Sequence, residues 1–128
     1  MQEDNKHVRF AELLELHINN VIKRDFSAKE PTPTMLKEMH VEIRRQVDNV
    51  FTMGRNRLTP EARSWLTDQF FKAVKLNSGQ LVSDLIVTNE HKLALMPLSD
   101  IGLLHGLFDR SYFHDQLKEE YQRRSQPS

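Results

Sequence analysis

Thr32-Pro33-Thr34-Met35-Leu36-Lys37-Glu38-Met39-His40-Val41-Glu42-Ile43-Arg44-Arg45-Gln46-Val47-Asp48-Asn49-Val50 is the stretch on which the fold turns. Leu36, Met39, Ile43, Val47 and Val50 recur at steps of three and four residues, with His40 on the same stripe, so an α-helix gathers them on one narrow face. Its start is marked too. The Thr32 hydroxyl can accept from a free first-turn amide, and Pro33, which has no N–H to leave unsatisfied, suits the first helical position. Gly54 is placed to end the helix.

Working outward toward the N-terminus, Phe10, Leu14, Ile18, Val21 and Ile22 repeat the pattern between about Val8 and Phe26. The break at 27–32 is short and polar, so residues 7–53 read as an antiparallel helical hairpin. Downstream, Leu58-Thr59-Pro60-Glu61 repeats the threonine-proline start. The helix it opens carries Ala62, Trp65, Leu66, Phe70 and Val74 on one face with Phe71 beside it, and is expected to end near Asn77-Ser78-Gly79. Residues 81–96 read two ways, as helix or as a β-hairpin around Asn89-Glu90; a short helix passing into a small hairpin is expected. Pro97-Leu98-Ser99-Asp100 restarts helix with Ser99 as its cap, and Asp109 or Ser111 caps a last helix holding Tyr112, Phe113, Leu117 and Tyr121. The expected fold is mainly α: one domain over 1–128, an N-terminal helical hairpin (7–53) packed on a small C-terminal helical subdomain (58–122), with room for one short β-hairpin near 84–96.

Length and charge narrow the function. The chain has 128 residues, room for one domain and no second catalytic unit. Eighteen basic residues balance 18 acidic ones, and neither half is a polyelectrolyte arm. The longest apolar run, 93–98, is far below the ~20 residues of a membrane span. With no cysteine there are no disulfides and no thiolate chemistry. Met1-Gln2-Glu3-Asp4-Asn5-Lys6 lacks the basic and apolar regions of a secretory signal, so a cytoplasmic protein is expected. The six histidines show no H-x-x-x-H spacing, and nucleophile elbows, P-loops and dinucleotide fingerprints are missing. Glu12-x-x-Glu15 and Glu38-x-x-x-Glu42 distantly resemble the paired acidic motifs of all-α nucleotide pyrophosphohydrolases, but the second departs from that family's E-x-x-D. No catalysis, metal or cofactor is expected. His17 and His40 are expected at the seam between the first two helices, near one another.

Ile101-Gly102-Leu103-Leu104-His105-Gly106-Leu107-Phe108-Asp109-Arg110-Ser111-Tyr112-Phe113 resembles the second helix-turn-helix of AraC-type transcription regulators, I-A-x-x-x-G-F-x-D-x-S-Y-F followed by three residues and F-K. Ile101, Gly106, Asp109, Ser111, Tyr112, Phe113 and Lys118 match, and Gly102, Leu107 and Leu117 are near replacements. The likeness covers about 25 of the 128 residues and lapses at Gln122-Arg123-Arg124-Ser125. It implies a small oligomeric regulatory protein binding DNA through residues 99–121. Arg110, His114 and Lys118 would then lie along one side of the last helix toward phosphates, with Gln116 reaching a base edge. Asp115, Glu119 and Glu120 weigh against that, because they set negative charge on the same helix. A second basic set, Arg44, Arg45, Arg55, Arg57 and Arg63, is a candidate partner or phosphate surface; Glu42 is spaced to pair with Arg45. The alternative function is a helical protein–protein interaction module, an accessory or inhibitory adaptor that binds no nucleic acid. Under either reading the narrow stripes of the first two helices are expected to support self-association.

Overall fold

A computed structural model describes residues 2–26, 32–76, 78–86 and 91–125, with side chains from Ala11 onward except those of Arg55 and His91. It is mainly helical: α1 (Gln2–Phe26), α2 (Pro33–Phe51), α3 (Pro60–Lys72), α4 (His91–Leu95), α5 (Leu98–Leu107) and α6 (His114–Ser125), with one-turn 3₁₀ helices at Gly54–Asn56 and Val82–Asp84.

Both threonine-proline starts form as their chemistry dictates. Thr32 is extended and its Oγ1 accepts from the Met35 amide at 3.1 Å. Thr59 is likewise extended and accepts from Ala62 at 3.3 Å. Gly54, at φ +79°, turns the chain just after α2. Helices α1 and α2 run antiparallel: Phe26 lies beside Thr34 and Lys37 near the connection, while His17 pairs with Gln46 at 3.0 Å further along. The buried line of α2 is Met35, Met39, Ile43, Val47 and Phe51, a strict four-residue step. Leu36 and Val50 are only partly buried at its flank. Because α2 packs chiefly on α3 and less on α1, its apolar face is rotated from the stripe expected.

Helix α3 is the centre of the molecule. Ala62, Trp65, Leu66, Phe70 and Phe71 are buried, and so are Thr67, Asp68 and Gln69 on its other sides. Trp65 stands edge-on to Phe113 with centroids 5.4 Å apart, and Phe70 meets Phe108 at 6.0 Å, so the aromatics of α3 and of the α5–α6 turn form one cluster. The Thr67 hydroxyl donates to the Arg63 carbonyl at 2.7 Å, and the Tyr112 hydroxyl donates to the Gln69 carbonyl.

Four expectations for the second half are corrected. Helix α3 stops at Lys72, short of Asn77-Ser78-Gly79, because the chain then folds back through a single bridge between Lys75 and Leu81 around Gly79 at φ +90°. The described part of 84–96 holds no strand. Its second half is α4, anchored by Lys92 on Asp68 and closed by Arg124, while residues 87–90 lie outside the described residues. Helix α5 begins at Leu98 with Pro97 before it, so Ser99 is inside the first turn and caps nothing. Asp100 is tied instead to Thr59, whose amide and hydroxyl donate to Oδ2 at 3.1 and 2.6 Å. At its other end α5 continues through Gly106 to Leu107, and α6 does not begin until His114, so Tyr112 and Phe113, expected inside the last helix, lie in the turn before it.

Candidate interaction surfaces

The four residues expected to read DNA are divided between the turn, which holds Arg110, and α6, which holds His114, Gln116 and Lys118. Arg110 is in the turn before α6, with Nη1 3.8 Å from a Glu12 carboxylate oxygen on α1, both side chains mostly exposed. His114 opens α6 but leans on α5: its ring lies 4.6 Å from that of His105, which stacks on Tyr121 at 5.8 Å, and its Nε2 is buried without a partner. Gln116 is half-buried, and Lys118 is exposed. The expected line of Arg110, His114 and Lys118 along the last helix is therefore broken at its first member. Glu120 binds Arg123 and accepts from Arg124 Nε at 2.6 Å; Arg124 also donates to the carbonyls of Leu93 (3.0 Å), Ala94 (2.6 Å) and Met96, closing the end of α4. The His105 imidazole is held below its ordinary range by burial, then by the neighbouring His114 and Lys118, with Asp109 opposing.

The arginine set is largely paired within the fold. Arg44 and Arg63 both donate to Asp48 Oδ1, at 2.9 and 2.8 Å, and Arg63 also reaches the Leu58 carbonyl at 2.6 Å. Arg45 pairs with Glu42 at 2.6 Å, the spacing read from the sequence, and lies with it on α2. That pairing holds the Glu42 carboxyl below its usual range. Arg57 is exposed, and the Arg55 side chain lies outside those described.

A different surface emerges on the outer side of α2. Pro33, Leu36, Lys37, His40 and Val41 face Phe71, Leu85 and Ile86 across a groove of about 560 Å³. Val41 is 60% exposed and Leu85 40%. Beneath it lies an ionic link between three helices. Asp68 on α3, with a side chain only 8% exposed, accepts from His40 Nε2 at 2.9 Å and from Lys92 Nζ at 2.5 Å. Burial pushes the Asp68 carboxyl up, but the hydrogen bonds from His40 and Lys92 outweigh it, and the group stays below its usual range. An ionised carboxylate only accepts, so Nε2 carries the proton shared with Asp68. The His40 ring stands edge-on to Phe71, with centroids 5.1 Å apart, which fixes it in the groove wall.

Sequence reasoning placed His40 on the α2 stripe but sent it toward His17; His17 instead meets Gln46. Asp68 and Lys92 were missed. The available signal was Asp68 itself, a charge set among Trp65, Leu66, Phe70 and Phe71. The glutamates of the acidic motifs also do other work, since Glu15 accepts from the Ser111 hydroxyl at 2.6 Å and Glu42 holds Arg45 and Gln46.

No protein-family model matches the chain, and it matches neither a curated protein nor a solved structure. Among the described residues, no group of three or more His, Asp or Glu side chains is placed to hold a metal ion, and no helix is long and apolar enough to cross a membrane.

Proposed function

We propose that this protein is a non-enzymatic helical interaction module that binds another protein through the groove between α2 and Phe71, Leu85 and Ile86. The observation that carries the reading is the contrast between two surfaces. The basic side chains of α6 and its turn mostly face acidic partners of the same chain, the exposed Arg110 beside Glu12 and Arg123 and Arg124 on Glu120. The α2 groove, by comparison, leaves Val41 and Leu85 open to solvent on a chain with no net charge. Concave, mostly apolar surfaces with a few placed polar groups are the usual form of a binding site, and an apolar groove beside a helix accepts the apolar face of a partner helix.

Selection from a phage-displayed library of random peptides of helical length tests this. Selected peptides should lose binding to Val41→Asp and Leu85→Asp, which alter exposed positions, and keep it with Lys118→Ala. Binders that survive both groove substitutions would overturn the reading.

DNA binding through residues 99–121 stands as the second reading. What favours it is the succession of α5, turn and α6 over the stretch that resembles an AraC-type helix-turn-helix, with the Lys118 side chain exposed. Its signature is affinity for generic duplex DNA that falls steeply with salt.

A further inference from the structure

Resting on the groove as the contact surface, we infer the chemistry of its partner: an amphipathic helix that sets a carboxylate beside its apolar anchors. The argument is charge complementarity. Of the described residues lining the groove, the only ionisable ones are Lys37 and His40, and none is acidic. His40 is committed through Nε2 to Asp68. Lys37 is exposed and makes no ion pair or hydrogen bond among the described residues. The arginines of α2 and Lys92 of α4 are paired elsewhere: Lys92 lies on Asp68, Arg45 on Glu42, and Arg44 on Asp48.

The groove continues along α2 into a second depression lined by Phe26, Thr34, Lys37, Glu38, Val41 and Glu42. Lys37 and Val41 belong to both hollows, so they form the saddle that a bound helix crosses. Within that second hollow Glu42 is already held by Arg45 and Gln46, at 2.6 and 2.7 Å, and Glu38 is engaged as well. Lys37 is thus the unpaired charge at the saddle. An aspartate or glutamate one turn from the partner's central apolar residue would reach it, whereas a lysine there would meet like charge with no open carboxylate on the lining of the first hollow. Apolar contact with Leu36, Val41, Phe71 and Ile86 gives affinity, and the Lys37 pair gives register and sign.

Two fluorescein-labelled amphipathic helical peptides test this, identical in an i, i+3, i+4, i+7 leucine face and differing only in glutamate or lysine beside it. At low salt the glutamate peptide should bind more tightly, by about fivefold or more, since an exposed pair contributes little and the lysine adds repulsion. Lys37→Glu should reverse the order, and raised salt should shrink the difference. Val41→Asp should abolish binding of both. Equal affinity of the two peptides, both lost in Val41→Asp, would overturn the carboxylate inference and leave the groove reading intact. Binding of either peptide that is indifferent to Val41→Asp, or no binding of either, would remove the groove itself.

Discussion

Replacing Asp68 by Ala removes the one acceptor that joins His40 on α2 to Lys92 on α4. Each hydrogen bond to a charged group contributes about 1.5–3 kcal/mol, and stranding a fully buried partner costs about 3–5 kcal/mol. Here the partners are not fully buried: the side chains of His40 and Lys92 are 34% and 28% exposed, so both can turn toward water once Asp68 is gone. The expected loss is therefore at the lower end, about 2–3 kcal/mol. For a domain of this size that is a fall in Tm of roughly 8–12 °C, measured by far-UV circular dichroism during thermal unfolding. Asp68→Asn, which keeps an acceptor and loses the charge, should fall between wild type and Ala. The pair Asp68→Leu with Lys92→Met should recover much of the loss, because apolar replacement of both members of a buried ion pair is often neutral. A loss below about 0.5 kcal/mol for Asp68→Ala would refute the claim that this link holds α2, α3 and α4 together.

Trp65→Ala should cost about 3–5 kcal/mol by leaving a cavity among Phe70, Phe108 and Phe113, and urea unfolding will read it. Thr59→Ala should cost about 2 kcal/mol, more than a cap alone, because it also strips a hydrogen bond from the buried Asp100 carboxylate; a cost equal to that of Trp65→Ala would misplace α3. Two pH effects follow with the same sign. The folded state favours neutral His105, so that contribution is complete above about pH 6.5, the unfolded value, and is lost as pH falls through the lower folded value. Asp68 adds a contribution complete above about pH 4 and lost as pH falls through its own depressed value. Stability measured against pH should thus decline in two stages, and His105→Gln should remove the first; a single stage in wild type would contradict this. The α2 stripe expected to support self-association is largely taken up in the core, which leaves Leu13 and Leu16, exposed on α1, to carry it; sedimentation over a hundredfold concentration range should show a species heavier than 15.1 kDa, and a strict monomer would remove it.

What the sequence made legible was local. Thr32-Pro33 and Thr59-Pro60 announce two helices because capping and the missing proline amide act within one turn, and both starts form. The aromatic face of α3 was legible for the same reason: its spacing fits one helix period. The details set by tertiary packing were not. Met35 and Phe51 replace Leu36 and Val50 on the buried line because the position of α3, rather than the stripe, decides which side of α2 is covered. His40, Asp68 and Lys92 are separated by 28 and 24 residues, and no local period encodes their meeting. Arg124, which stands where the helix-turn-helix likeness lapses, closes α4 across about thirty residues. The groove is a by-product of those same placements, since Phe71 comes to α2 with α3, and Leu85 and Ile86 only once the chain has turned back at Gly79.

The central claim, that the partner surface lies on α2 and not on α6, is tested most directly by amide chemical shifts. The glutamate peptide and, separately, a generic DNA duplex at low salt would be titrated into isotope-labelled protein. The peptide should move resonances of Leu36, Lys37, Val41, Phe71 and Ile86 and leave those of Gln116 and Lys118 in place, while the duplex moves none. Shifts confined to residues 110–121 on adding the duplex, with the α2 groove silent to the peptide, would contradict the account.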